Sequence, residues 1–225
     1  MAIAFFDLDK TLFPRNTARM WVSAEVRLGF LSRWQALRAL GWMVRYHLGA
    51  ADVSDALRLS FANYEGIPEV ELRDRSDSFF DAEMSGGFRP GGLDAVSAHR
   101  KAGDELVLLT STSSYLSKKT SDELQLHAYL CNRFVVDDDG KFTGEPFEPL
   151  CYGPGKVTHA ERHAGKNGVA LADCAYYGDS YSDVPILEAV GRPIVVNPDP
   201  RLRRLAKKRG WKMVDWDEPK AQPKR

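Results

Sequence analysis

The period of the apolar positions changes after the first dozen residues. Ile3-Ala4-Phe5-Phe6 is an unbroken apolar run, β-branched and aromatic, and predicts a short buried strand. It delivers Asp7 and Asp9, whose spacing of two puts both carboxylates on one side of an extended segment. From Pro14 the apolar positions recur every three or four residues, and the pattern stays helical as far as about residue 84. Asn16 or Thr17 caps a first helix carrying Met20, Trp21, Ala24, Val26 and Leu28, with Gly29 past its end. Ser32 caps a second, with Trp34, Leu37, Leu40, Val44 and Leu48 on one face. A third starts near Asp52 or Ser54 and reaches Tyr64, and a fourth runs from about Glu69 to Met84. Ser85-Gly86-Gly87 and Pro90-Gly91-Gly92 punctuate the exit.

Beyond Gly91 short apolar runs alternate with helical stretches. A helix over Leu93 to Lys101 precedes a strand at Glu105 to Leu109, which ends in Thr110-Ser111-Thr112-Ser113-Ser114. A helix from Tyr115 to about Leu126 follows, then a strand at Arg133 to Val136 that turns through Asp137-Asp138-Asp139-Gly140 into a return at Lys141 to Thr143. Next come a helix at Val157 to Ala164, a strand at Cys174 to Tyr177, and Gly178-Asp179-Ser180-Tyr181-Ser182-Asp183 opening a helix. A strand at Pro193 to Asn197, a helix from Arg201 to Arg209 and a strand at Lys212 to Val214 finish the series. Alternating β and α units predict a mainly parallel sheet with helices on both faces. The expected organisation is a core of residues 1–13 and 89–216, a helical unit at 14–88 inserted after the first strand, and a disordered tail at 217–225.

Composition narrows the class. Hydrophobic residues make up 44% of the 225, enough for a sizeable core, and Lys+Arg and Asp+Glu both total 31. A net charge of zero gives no case for a nucleic-acid partner, so any electrostatic recognition is local. Arg33, Arg38 and Arg45 interrupt the most apolar helix, which excludes stable membrane insertion and marks the stretch as amphipathic. Cys131, Cys151 and Cys174 are odd in number and lack metal-type spacing, and no secretory signal is visible; reduced thiols in the cytoplasm are expected. Between residues 15 and 50 six arginines face Glu25 alone.

The chemistry-bearing residues all fall at predicted strand ends or helix starts: Asp7, Asp9 and Thr11; Thr110 and Ser111; Lys156; Asp179 and Asp183. Ligands of open parallel α/β sheets bind at that end. Together these residues have the parts of a metal-assisted phosphoryl-transfer site. Asp7 suits in-line attack on phosphorus, and Asp9 suits general acid/base work on the leaving oxygen and the attacking water. Asp7, Asp179 and the backbone carbonyl of Asp9 suit Mg²⁺, with Asp183 holding a metal-bound water. Thr110, Ser111 and Lys156 suit the phosphoryl oxygens. Other tempting groups have ordinary explanations. His159 and His163 are expected to be a solvent-facing pair, Asp137 to Asp139 a turn, and Trp21, Trp34 and Trp42 packing between helices.

In this order, Asp7-Leu8-Asp9-Lys10-Thr11, Leu109-Thr110-Ser111, Lys156 and Gly178 through Asp183 resemble the four motifs of the haloacid dehalogenase superfamily. The helical insert resembles the C1-type cap of its phosphoserine phosphatase-like subfamily (subfamily IB), and Val196-Asn197-Pro198-Asp199-Pro200 is similar as well. The resemblance implies a Rossmann-like core and an Mg²⁺-dependent phosphomonoesterase acting through an aspartyl phosphate on Asp7. The second acid, Asp9, separates the chain from the dehalogenases. The lysine-free segment 14–88 separates it from the Schiff-base phosphonate hydrolase, and Leu12-Phe13 separates it from the P-type pumps. Candidate substrates by analogy are phosphoserine, histidinol phosphate and other amino-alcohol phosphates such as phosphocholine-like esters. Two departures count against phosphoserine: no acid precedes Glu25 in the cap, and Thr110-Ser111-Thr112-Ser113 replaces the usual Ser-Gly-Gly run. The competing class is a non-enzymatic binding or regulatory protein on the same scaffold, acting through the apolar helix from Leu31 to Leu48.

Overall fold

The first strand is central to the sheet. In the computed structural model, which describes residues 2–31 and 53–217, β1 (Ile3–Phe6) lies between β2 (Glu105–Ser113) and β6 (Ala175–Gly178). With β3 (Ala128–Asn132), β7 (Arg192–Val196) and β8 (Lys212–Val214) they form a six-stranded sheet in the order β3-β2-β1-β6-β7-β8, parallel at every pairing. A strand covered on both faces needs apolar side chains in both directions, which is why Ile3 to Phe6 has no polar alternation. Ile3 and Phe5 join one core with Val107, Leu109, Ala160, Ile186 and Leu202; Ala4 and Phe6 join the other with Leu106, Leu108, Phe80 and Val96. The expected α/β architecture, a mainly parallel sheet with helices on both faces, is the one observed.

Helices α1 (Thr17–Arg27), α2 (Val53–Ala62) and α3 (Glu69–Glu83) follow β1, as the three-to-four-residue spacing predicts. The side chain of Asn16 caps α1 by accepting the Arg19 N–H at 3.0 Å. Trp21 packs edge-on to Phe79 and donates its indole N–H to Tyr64, so it is a packing residue as expected. Trp34, Trp42, the expected second helix and the tail beyond Asp217 lie outside the described residues. Glu25 is only 2% exposed; Arg75 of α3 neutralises it and stacks over Phe30.

Several boundaries differ from expectation, two of them informatively. Helix α4 begins at Pro90, not Leu93, because proline suits the first helical position, and Gly91 and Gly92 sit inside the first turn. There the indole of Trp216 lies so close that a Cβ at Gly91 would come within 2.6 Å of its ring. Strand β2 runs on to Ser113, after which come α5 (Ser114–Glu123) and β3. The pattern of the chain did not reveal β3. Apart from Cys131 and Asn132 its residues are partly buried or, at Tyr129, exposed, and it forms the edge of the sheet.

The predicted hairpin is β4 (Phe134–Val136) and β5 (Phe142–Pro146), and the Asp137 carboxylate closes its turn by accepting from Asp139 and Lys141. The hairpin is stitched to the segment between α2 and α3. Gly66 N–H donates to Phe142 O, Phe142 N–H to Ile67 O and Glu69 N–H to Gly140 O. Phe61, Tyr64, Tyr115, Phe134 and Phe142 pack as one aromatic cluster across that seam. Helices α6 (Pro154–Lys166), α7 (Val184–Ala189) and α8 (Pro200–Arg209) complete the fold.

His159 and His163 correct a further expectation. They are not solvent-facing: His159 bonds the Pro149 carbonyl at 2.8 Å and His163 the Glu105 carboxylate at 2.8 Å. Each ring takes its own partner, so the pair forms no shared site.

Candidate active site

The carboxyl ends of β1 and β6 converge. β1 pairs with β6 through Phe6 and Tyr177, so the residues that follow, Asp7 and Asp179, leave the sheet side by side. A short 3₁₀ turn, Tyr181–Asp183, brings Asp183 back over the same spot. Ligand oxygens of Asp7, Asp179 and Asp183 all lie within 4.8 Å of one another, and the three residues are 6%, 7% and 2% exposed. Gly178 permits this approach. A Cβ there would stand 2.7 Å from Asp183 Oδ2 and 2.6 Å from the Tyr176 ring.

Lys156 reaches the cluster from the first turn of α6, where Gly153, at φ +50°, caps the helix and Pro154 opens it. Its Nζ donates to Asp7 Oδ1 at 2.8 Å, Asp183 Oδ1 at 2.8 Å and the Tyr176 hydroxyl at 2.9 Å. Burial alone would lower the lysine's pKa, but Asp183 and Asp7 outweigh it and hold the ammonium well above its ordinary value. Burial likewise raises Asp7 to about 7, against the pull of Lys156 and with a push from Asp183. Burial, then Asp7 and Asp183, raise Asp179 well above the carboxylate range. Three buried acids facing one buried ammonium are short of positive charge.

Asp9 is held from the start of α1. Its carboxylate accepts the Thr17 N–H at 2.8 Å and the Asn16 amide at 3.4 Å. Burial raises its pKa, and the bonds from Thr17 partly offset the rise. Lys10, at φ +57°, makes a left-handed turn immediately after Asp9, where the chain leaves the strand. Thr11 is fully buried, and its hydroxyl has no hydrogen-bond partner among the described residues.

On β2 the register carries Thr110 two residues past the Phe6–Leu108 pair, beside the turn that follows β1. The Thr110 hydroxyl bonds Thr112 at 3.3 Å, and Thr112 in turn meets Thr17 at 3.3 Å. The Ser111 hydroxyl is committed elsewhere, to the Cys151 carbonyl at 2.8 Å, so any phosphoryl contact from this residue falls to its main chain.

A divalent cation tests well against these residues. The donors are hard carboxylate oxygens, charge is short by the count above, and Asp183 Oδ2 is buried without a hydrogen-bond partner among the described residues. The Asp9 carboxylate is outside the cluster, which leaves its main-chain carbonyl as the ligand atom that residue can offer.

Two supporting residues carried no sequence signal. Asn132 bridges Ser111 O and the Cys151 N–H at 2.7 Å each, tying the end of β2 to the loop before α6. Tyr176 looks like an ordinary buried strand residue until Lys156 is seen on its hydroxyl.

The model of the haloacid dehalogenase-like hydrolases matches residues 4–188, a span that holds every one of these side chains. The chain belongs to that family. It is 31% identical to phosphoserine phosphatase SerB1 of Mycobacterium tuberculosis, over 96% of this chain and 71% of that protein. It is 24% identical to a histidinol-phosphatase of Neisseria meningitidis, over 95% of this chain and 98% of that one. A crystal structure of a protein of unknown function from Bordetella pertussis superposes with a TM-score of 0.87 at 30% identity, covering 96% of this chain and 98% of the other. Among the described residues no helix is long and apolar enough to cross a membrane.

Proposed function

We propose that this family member is an Mg²⁺-dependent phosphomonoesterase acting on a small phosphorylated metabolite through an aspartyl phosphate on Asp7. The observation that carries the reading is the buried lysine held between Asp7 and Asp183, with Asp179 completing a three-carboxylate cluster. In this reading residues 1–13 and 89–216 are the catalytic core, residues 14–88 the cap, and the three unpaired, buried thiols suit a cytoplasmic setting.

Asp7, Asp179, the Asp9 carbonyl and Asp183 would hold the ion. Bound there, Mg²⁺ supplies the positive charge that returns Asp7 and Asp179 to their ionised forms and screens the phosphoryl oxygens. An Asp7 oxygen attacks phosphorus as the ester P–O bond breaks, and protonated Asp9 gives its proton to the leaving oxygen. The raised pKa of Asp9 suits that start. Water then attacks the aspartyl phosphate, Asp9 takes the proton, and the Asp7–phosphorus bond breaks to release phosphate. Lys156 and Thr110 bind the phosphoryl oxygens and offset the charge that builds on them.

Candidate substrates are phosphoserine, histidinol phosphate and other amino-alcohol phosphates, supported by the names of the relatives. Glu25, the first acid of the helical segment, is buried against Arg75 and is not free to meet a substrate amine.

The test is phosphate release from a panel of small phosphomonoesters, with Mg²⁺ and with EDTA, for the wild type and Asp7→Asn. Metal-dependent turnover that Asp7→Asn removes is expected. A wild type that releases no phosphate from any ester would overturn the reading.

A further inference from the structure

Lys156 has three N–H donors, and the resting protein occupies all three. Two acceptors, Asp7 and Asp183, are working groups in the reading above. Asp7 loses its charge when it bonds phosphorus, and both stand where a cation would sit. The third acceptor is the hydroxyl of Tyr176, which is neutral and is neither a metal-ligand candidate nor the nucleophile. Tyr176 pairs in register with Phe5 on one side and Pro193 on the other, two residues below the level of Asp7. It is 0% exposed, and its ring lies in the slot left by the missing side chain of Gly178. It therefore holds the ammonium from the closed side of the sheet, while substrate arrives from the strand ends. Full burial shields that hydrogen bond from displacement by solvent.

We propose that Tyr176 is the positioning residue for Lys156, a fixed acceptor that keeps the ammonium in place while its carboxylate partners change charge. The assignment rests on the phosphatase reading. Without the hydroxyl, the ammonium keeps only Asp7 and Asp183 as acceptors and is drawn toward them, away from the position of the phosphoryl oxygen. Such a displacement is felt most in the transition state, where the oxygens carry the greatest charge.

The same strand supplies a matched control. Tyr177 is the next residue, and its hydroxyl points to the opposite face and bonds His99 at 2.9 Å. Tyr176→Phe and Tyr177→Phe delete the same atom from the same strand, but only the first touches Lys156.

The experiment measures kcat and KM with Mg²⁺, calorimetric binding of orthovanadate as a mimic of the phosphoryl transition state, and thermal melting, for the wild type and both variants. For Tyr176→Phe we expect about a tenfold loss in kcat, KM within about threefold, and vanadate binding weakened in step with kcat/KM. Tyr177→Phe should keep kcat and vanadate affinity. Replacing Tyr176 by 4-aminophenylalanine, which has the tyrosine shape and keeps a lone pair in place, should restore at least half of the lost rate and covers the case in which Tyr176→Phe does not fold. Wild-type kcat and vanadate affinity in Tyr176→Phe would overturn the assignment, and so would an equal loss in Tyr177→Phe. If the wild type hydrolyses no ester, the phosphatase reading fails, while vanadate binding still decides whether Tyr176 aims Lys156.

Discussion

The Asp9 carboxylate accepts the main-chain N–H of Thr17 at 2.8 Å, so the second acid of the site is aimed by the first turn of the helix that follows it. Asn16 serves both ends of this arrangement, capping α1 through its oxygen and reaching Asp9 through its amide. Asn16→Ala should cost about 1 kcal/mol of stability from the lost cap and lower kcat several-fold with little change in metal affinity. Chemical denaturation and initial rates at saturating substrate read the two effects separately. A variant with wild-type kcat would show that Asp9 needs no such guide.

Asp7→Asn should abolish turnover without unfolding the protein. Burial of Asp7 disfavours its charge, and an amide of the same shape can still accept from Lys156 through its oxygen. The metal-free variant is expected to melt at or above the wild-type temperature at pH 8, and to gain less on adding Mg²⁺. A large loss of stability would mean that the Asp7 charge itself holds the site together.

The raised acids give the metal-free protein a definite pH dependence. Between the ordinary value of 3.8 and about 7, folded Asp7 keeps a proton that the unfolded chain has lost. The folded state binds more protons in that window, so stability falls as pH rises through it and the loss is complete above about 7. Asp9 and Asp179 are shifted in the same direction and add to it. In EDTA the melting temperature should be lower at pH 8 than at pH 5, with a shallower fall in Asp7→Asn. Mg²⁺ should raise it more at pH 8, where it does not compete with protons. A melting temperature that climbs from pH 5 to pH 8 in EDTA would contradict the assignment.

Glu25→Ala removes the partner of Arg75 inside the helical segment. Arg75 keeps Glu71 and its stack on Phe30, but its guanidinium stays largely covered. Losing one member of a buried pair is expected to cost about 3 kcal/mol, or roughly 6–12 °C in melting temperature for a chain of this size. Differential scanning calorimetry checks the figure, and a change below about 1 °C would show the pair to be dispensable.

The central features were legible because they are local. The unbroken run Ile3 to Phe6 marked a strand buried on both faces, and the i, i+2 spacing of Asp7 and Asp9 marked its functional end. The left-handed Lys10 just after Asp9, and the hold of the helix start on the Asp9 carboxylate, had no such local signal. Strand β3 was missed because an edge strand buries little, and Tyr129 in its middle is 38% exposed. Asn132 and Tyr176 were missed for a different reason. Each acts on groups about twenty residues or more away in sequence, and only the folded sheet brings those groups within reach.

The seam between residues 66–69 and the β4–β5 hairpin links mechanically what the sequence keeps far apart. Gly66, Ile67 and Glu69 share main-chain hydrogen bonds with Gly140 and Phe142, so the segment joining α2 and α3 is tied to the hairpin and would have to break those bonds to move without it. The hairpin is continuous through Arg133 with Asn132, the clamp on Ser111 and Cys151. An unbroken path of chain and hydrogen bonds thus runs from the helical segment to the two stretches that precede or present Thr110 and Lys156.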